Sequence, residues 1–379
     1  MKELSKKVVS RWHRFSRGTQ IFLIVLVVLL VSIRVALPWI VESYVNRKLD
    51  SLPSYTGRIG TVNIHLWRGA YSIENVDVLK KNGKVSTPFF SARHVDLSVQ
   101  WRELFHGSIV SAIEVDDGKL NFVKGKTDEE SQTGVTKDWT EVVKGLVPFQ
   151  INQFEFRNSE IWFRDITSEP KIDVFITNMF LLATNFSNSR HASTNLPSGL
   201  TVRGNSLGHG KLNVNLKLDP FAKAPTFVLK AEFRDIRLPE LNNVLKAYAK
   251  IDVSRGDLNV FSEIAAKDGA FEGYITPLLE HIKIIDLHDD KNPLKVMWEF
   301  VVATFVQLFK NHEMDSFGTK IPLAGSFDNP QVGIWSTIGN IFHNFIIAFP
   351  KHVEGTVTEK DLQNLEKQAE KKNAEPAKP

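Results

Sequence analysis

The residues whose types and spacing most suggest chemistry are Gly204-Asn205-Ser206-Leu207-Gly208, the G-x-S-x-G pattern of a serine nucleophile, with His209 directly after it. Such a serine works at a strand-to-helix turn, where its hydroxyl stands clear of the sheet beside backbone N–H donors. Here Leu212, Val214, Leu216 and Leu218 follow in alternation with Lys211, Asn213, Asn215 and Lys217, which is a strand pattern. The motif therefore reads as a glycine-rich loop between strands, and no catalytic residue is assigned. A second cluster, His288-Asp289-Asp290 with Asp286 upstream, offers donors to a metal. A calcium loop counted from Asp286 needs glycine at its sixth place and a carboxylate at its twelfth, and Lys291 and Met297 stand there. It reads as a solvated loop. No H-E-x-x-H pair, Walker loop or dinucleotide fingerprint occurs, and there is no cysteine. The expectation is a protein that is not an enzyme and holds neither cofactor nor metal.

The elements around these residues are mostly strands. Val95, Leu97 and Val99 alternate with polar residues, as do Ile172, Val174 and Ile176, and Phe227, Leu229, Ala231 and Phe233. Turn chemistry at Asn82-Gly83, Asp117-Gly118, Asn158-Ser159, Asp219-Pro220 and Arg255-Gly256 separates such runs. Three segments repeat one pattern: Ile113 to Phe122, Phe154 to Phe163 and Ile251 to Val260. Each reads as a hairpin-like turn whose flanking apolar residues share a sheet face. The expected apolar face comprises Val95, Leu97, Val99, Ile113, Val115, Leu120, Phe122, Phe154, Phe156, Ile161 and Phe163. Exposed apolar patches beyond a few hundred Å² are rare in monomers, so either a facing sheet or a ligand must cover it. An acyl chain suits such a face, each buried methylene contributing about 0.8 kcal/mol.

Position in the cell follows from the N-terminus. Residues 1–19 form a basic leader with Lys2, Lys6, Lys7, Arg11, Arg14 and Arg17 against Glu3. An apolar run over 20–41 is long enough to cross a hydrocarbon core of about 30 Å. Arg34 lies past its middle, within snorkelling reach of headgroups, and Trp39 suits the interface. Positive residues stay inside, so the N-terminus is expected in the cytoplasm and the rest across the membrane. Val35-Ala36-Leu37-Pro38 offers no convincing small-x-small cleavage site, which favours a retained anchor over a cleaved signal peptide. The first 18 residues contribute six bases and one acid to a chain of formal net charge +4, leaving the remainder near −1. The basic character thus belongs to the topology signal and argues against a nucleic-acid partner.

Helices are expected near 239–249, opened by Pro239, near 293–310 and near 335–349, with a charged, partly disordered tail over 351–379. Residues 42–350 are expected to be β-rich and are enough for one elongated domain or two compact ones.

The segment VNRKLDSLPSYTGRIGTVNIHLWRGAYSIENVDVLKKNGK, Val45 to Lys84, resembles the region after the anchor in AsmA-like bacterial envelope proteins, in particular a branch known only as a domain of unknown function. The likeness continues through FFSARHVDLSVQWRELFHGSIVSAIEVDDGKLNFV, KNPLKVMWEFVVATFVQLFKN and TKIPLAGSFDNPQVGIWSTIGNIF. This resemblance implies a single-pass inner-membrane protein whose bulk is periplasmic, with a long sheet curled lengthwise, taco-like, into an apolar groove. In that family TamB and YhdP are linked to phospholipid movement between membranes and AsmA to outer-membrane assembly, with no catalytic residues to carry over. The implied function is lipid binding in phospholipid transport or outer-membrane homeostasis, with phospholipid acyl chains and an envelope protein as partners. The alternative is a non-enzymatic assembly scaffold that binds protein strands at its sheet edge.

Overall fold

The computed structural model describes residues 17–52, 54–65, 69–81, 83–99, 110–132, 150–186, 196–220, 222, 224–249, 251–268, 270–287 and 321–326. The leader before Arg17, the expected helices near 293–310 and 335–349, the His288-Asp289-Asp290 cluster and the tail lie outside the described residues.

One helix, α1 (Arg17–Asp50), begins the described chain, and at 1.5 Å per residue its 34 residues extend about 50 Å. From Ile21 to Ile40 it exposes apolar side chains and is long and apolar enough to span a membrane. It does not stop at Val41 as the apolar run suggested. Leu37, Val41, Val45 and Leu49 recur every four residues, and this stripe packs against the sheet, which keeps the chain helical to Asp50. Arg47 and Lys48 in the last turn suit the negative end of the helix dipole.

The remainder is mainly β. The strands are β1 (Tyr55–Arg58), β2 (Val62–His65), β3 (Ala70–Lys80), β4 (Phe90–Val99), β5 (Val110–Asp116), β6 (Lys119–Lys124) and β7 (Gln150–Asp165). They continue as β8 (Ile172–Thr184), β9 (Ser198–Ser206), β10 (Lys211–Leu218), β11 (Phe227–Arg237), β12 (Ile251–Lys267), β13 (Ala270–Leu287) and β14 (Ile321–Ser326). All fourteen form one mixed sheet in the order β1-β3-β4-β5-β7-β8-β9-β10-β11-β12-β13-β14, with β2 in line with β1 on β3 and β6 in line with β5 between β4 and β7. Twelve positions at about 4.8 Å make the sheet about 50 Å across its strands. Neighbours are antiparallel except that β5 and β6 both run parallel to β7.

That parallel pairing corrects the hairpin expectation. At Asp117-Gly118 the chain does not turn back: Asp116 lies opposite Arg157 and Lys119 opposite Glu160, so β5 and β6 are two lengths of one strand. Likewise Asn158-Ser159 lies inside β7 and Arg255-Gly256 inside β12. The same residue types that favour turns also tolerate positive φ, and here they serve a bulge, which bends a strand without ending it. Asp117 has φ 53°, Asn158 47° and Gly256 149°, and Asn75, Asn178, Asp235 and His281 share the habit at 54°, 48°, 59° and 54°.

Each of these residues shifts the inward phase by one. Tyr71 and Ile73 are followed by Val76 and Val78, Ile113 and Val115 by Leu120 and Phe122, Phe154 and Phe156 by Ile161 and Phe163, all in one cluster. Phe227, Leu229 and Phe233 give way to Ile236 and Leu238, and Ile251 and Val253 to Leu258 and Val260. From β3 to β7 the register runs straight through these points, between β7 and β8 it steps by one at Ser159 and returns by Ile161, and between β8 and β9 and between β11 and β12 it slips by one residue. These residues trace a line of phase shifts across the sheet, the crease, and the strand lengths on its two sides are its first and second leaves. The first holds β2, β5, β9, β10 and β14. The second holds β1 and β6, and the longer strands cross from one to the other.

Short β9 and β10 end at the crease and β11 ends at Arg237 opposite Asp257, so the second leaf has a gap between β8 and β12. A helical segment fills it: a 3-10 turn Leu238–Leu241, an α turn Asn242–Val244 and a π turn Leu245–Ala249. It occupies the place that Pro239 marks in the sequence.

Candidate functional site

The inner face of the creased sheet gathers the expected apolar residues. Leu97, Ile113, Val115, Phe122 and Phe163 are buried in one cluster, and Val95, Leu120, Phe154, Phe156 and Ile161 pack against it half-buried. Val99 pairs with Ser111 at the end of β4, and its side chain lies outside the described residues. Alternation carries each side chain inward, and the phase shift at Asp117 and Asn158 keeps both halves of a long strand on the same side. Phe122 meets Phe89 edge-on at 5.6 Å, and Phe89 meets Tyr55 at 4.9 Å. The sequence reading missed Tyr55, Ile59, Val62, Ile64 and Phe89, which lie in the same cluster. Ile59 followed by Val62 and Ile64 carries the same phase shift, a signal that could have placed them.

The α1 stripe joins this cluster directly. Leu49 is buried in it, and Leu37, Val41 and Val45 pack on it. Asn46 Oδ1 accepts the backbone N–H of Ile59 at 3.0 Å, and Thr56 donates its hydroxyl to Asp50 at 2.7 Å, which fixes the helix along β1 and β2. Apolar packing therefore runs unbroken from the membrane-length part of α1 onto the inner face.

On the outer side the crease is polar. Arg93 and Asn158 both donate to the Asp117 carboxylate, and these bonds hold its pKa below the ordinary carboxylate range. Asn121 and Glu155 point away from the cluster, yet both are buried. Asn121 donates to the Pro88 carbonyl at 3.0 Å, and Glu155 accepts from Arg157 at 2.7 Å.

One charged site lies on the inner face. Asp165, two residues beyond Phe163 and in the same phase, is fully buried. It accepts from Lys124 Nζ at 2.9 Å, from the Tyr248 hydroxyl at 2.8 Å, and from the Thr167 hydroxyl and N–H at 2.6 and 2.8 Å. Burial pushes the carboxyl up, but hydrogen bonds from Thr167, Lys124 and Tyr248 outweigh it and leave the pKa below the usual range. Burial and the Asp165 charge push the Tyr248 phenol upward. The sequence reading missed this site, whose one local signal was an acid in the inward phase at a strand end.

The G-x-S-x-G segment forms the hairpin between β9 and β10. Asn205 pairs with Lys211, the Ser206 N–H donates to Gly210 O at 2.7 Å, and the Ser206 hydroxyl donates to the Leu207 carbonyl at 3.3 Å. A single 3-10 turn follows Ser206, then a strand, which is not the geometry of a nucleophile elbow. His209 is exposed and pairs with Glu240 at 2.8 Å. Gly204 faces Ile176 so closely that a β-carbon would lie 2.7 Å from its Cγ2. The glycines serve strand packing and the hairpin. Among the described residues no three metal-ligating side chains converge.

These features remain the basis for assigning a role, because in comparisons with known proteins the chain matches no family model and no curated sequence.

Proposed function

We propose that this chain is a membrane-anchored lipid-binding protein of the bacterial cell envelope, its two leaves sheltering acyl chains along the crease. The observation that carries this reading is the continuous apolar packing leading from α1 onto the inner face, through Leu49 to Val115, Phe122 and Phe163. A lipid leaving a bilayer along that path would keep its chains against apolar side chains throughout, and each methylene so held contributes about 0.8 kcal/mol. Half-buried Val95, Leu120, Phe154, Phe156 and Ile161 offer the remaining apolar surface to such a chain. The resemblance to AsmA-like proteins supports the same role in phospholipid transport, with the N-terminus cytoplasmic, α1 in the inner membrane and the sheet in the periplasm. A sheet about 50 Å across is shorter than an envelope, so the protein hands lipid to a partner or acts locally.

The test is photocrosslinking in cells with mass spectrometry of lipids extracted from the purified protein. A crosslinker at Phe122 or Phe156 should capture phospholipid, while one at Val228, exposed on the opposite face, should not. Capture of protein without lipid would favour the scaffold alternative. No capture and no copurified lipid would refute lipid binding.

A further inference from the structure

The gap in the second leaf has the dimensions of a side port. From β8 to β12 is four strand spacings, about 19 Å, and the three strands between them stop at or just past the crease. A helix with its side chains is about 10 Å across, so the segment Leu238–Ala249 fits within the gap, seated along the β12 side of it. Its underside is apolar: Leu238 and Leu245 bury themselves in the cluster around Val253, while Val244, Ala247 and Tyr248 pack on Ile172. Three helical geometries succeed one another within twelve residues, a sign of a segment held by its surroundings more than by its own hydrogen bonds. Polar attachments add to this packing, among them an ion pair of Lys246 with Asp252 at 2.8 Å. Tyr248 donates to Asp165 across the gap, Asn242 exchanges two hydrogen bonds with the Val253 backbone at 2.8 and 2.9 Å, and Glu240 meets His209 at the rim.

We propose that Leu238–Ala249 is a stopper in a lateral port, latched by Tyr248 on the Asp165–Lys124 pair, and that acyl chains pass sideways through the port when the latch opens. This rests on the lipid-binding reading above. The latch suits the task because a neutral hydroxyl joins the stopper to Asp165 of β7: Tyr248 can leave while Lys124 and Thr167 still satisfy that carboxylate. A permanent cap would need no such separable bond.

The full-length protein in detergent or membranes supplies the test. In the unsubstituted chain, amides of 242–249 should exchange with deuterium at least tenfold faster than those of Val260–Ala266 in β12. Tyr248→Phe, which keeps the ring and deletes the hydroxyl, should raise stopper exchange a further tenfold and leave β12 unchanged. A photocrosslinker at Leu241 should capture lipid in the unsubstituted protein and at least threefold more in Tyr248→Phe. Stopper amides as protected as β12, or lipid captured at Phe122 but never at Leu241, would overturn the port and leave lipid binding standing. Capture at neither position would overturn both. Should Tyr248→Phe fail to fold, the unsubstituted exchange comparison and the Leu241 crosslink still decide.

Discussion

The crease makes a sharp demand on Asn158. Its φ of 47° lies in the left-handed region, where an L-residue is disfavoured by roughly 1–2 kcal/mol and a β-branched one is worst placed. Its side chain also donates to Asp117 in an exposed setting, a bond contributing about 0.5 kcal/mol. Asn158→Val should therefore destabilise by about 2 kcal/mol, whereas Asn158→Gly, which accepts positive φ, should fall within about 0.5 kcal/mol of the parent. Deleting Glu160 while Asn158 keeps its left-handed conformation is the stronger perturbation. It moves Ile161, Phe163 and Asp165 to the outer face, because the side-chain period of a strand is two. Losing the burial of Ile161 and Phe163 alone costs about 4 kcal/mol. Stranding Lys124 and Tyr248 adds to this, and the sum approaches the whole stability of a typical fold. The measurement is urea unfolding of the detergent-solubilised protein by tryptophan fluorescence, comparing midpoints at unchanged slope. Equal midpoints for the valine and glycine variants, or a deletion variant that folds normally, would refute the role assigned to the left-handed residue.

Asp165→Asn should destabilise by about 2–3 kcal/mol, the cost of breaking a buried pair tempered by the partial exposure of Lys124, as read in the same unfolding experiment. Because the folded pKa of Asp165 is depressed, its contribution is complete above about pH 4 and is lost as pH falls further, so the midpoint difference between Asp165→Asn and its parent should shrink in acid. Phe122→Ala, at a side chain only 4% exposed, should cost about 3–4 kcal/mol by the same measurement. Ser206→Ala should leave function in cells unchanged, and a serine-hydrolase probe should not label Ser206, whose hydroxyl bonds the next carbonyl. A periplasm-active reporter fused after Leu49 should be active, and activity only of a cytoplasmic reporter there would reverse the proposed orientation.

Much of the local structure was legible in residue order. Alternation marked β4, β8, β10 and β11, and it placed ten expected inner-face residues, from Val95 to Phe163, where the cluster now holds them. The failure came at Asp117, Asn158 and Gly256, where turn chemistry suggested reversal and the chain instead continues. Asn and Asp stabilise the left-handed conformation in a turn and in a bulge alike, so residue type does not distinguish them. Phase does: apolar residues at 113 and 115 and then at 120 and 122 have the parity shift of a bent strand. The buried site was beyond such reading. Tyr248 and Asp165 are 83 residues apart, and nothing local announces that β9 and β10 stop short and let a helix cross to β7.

The two ends of the sheet are not equivalent. At one end α1 lies along β1 and β2, with Asn46, Leu49 and Asp50 occupying the flank where another strand would dock. Beyond the parallel junction at β7, every added pair of strands repeats the same antiparallel step of about 10 Å, and a long strand needs only one left-handed residue to join the crease. Length is accordingly a free parameter of this architecture, adjustable hairpin by hairpin away from the anchored end, whereas the anchored end admits no insertion without unseating the helix.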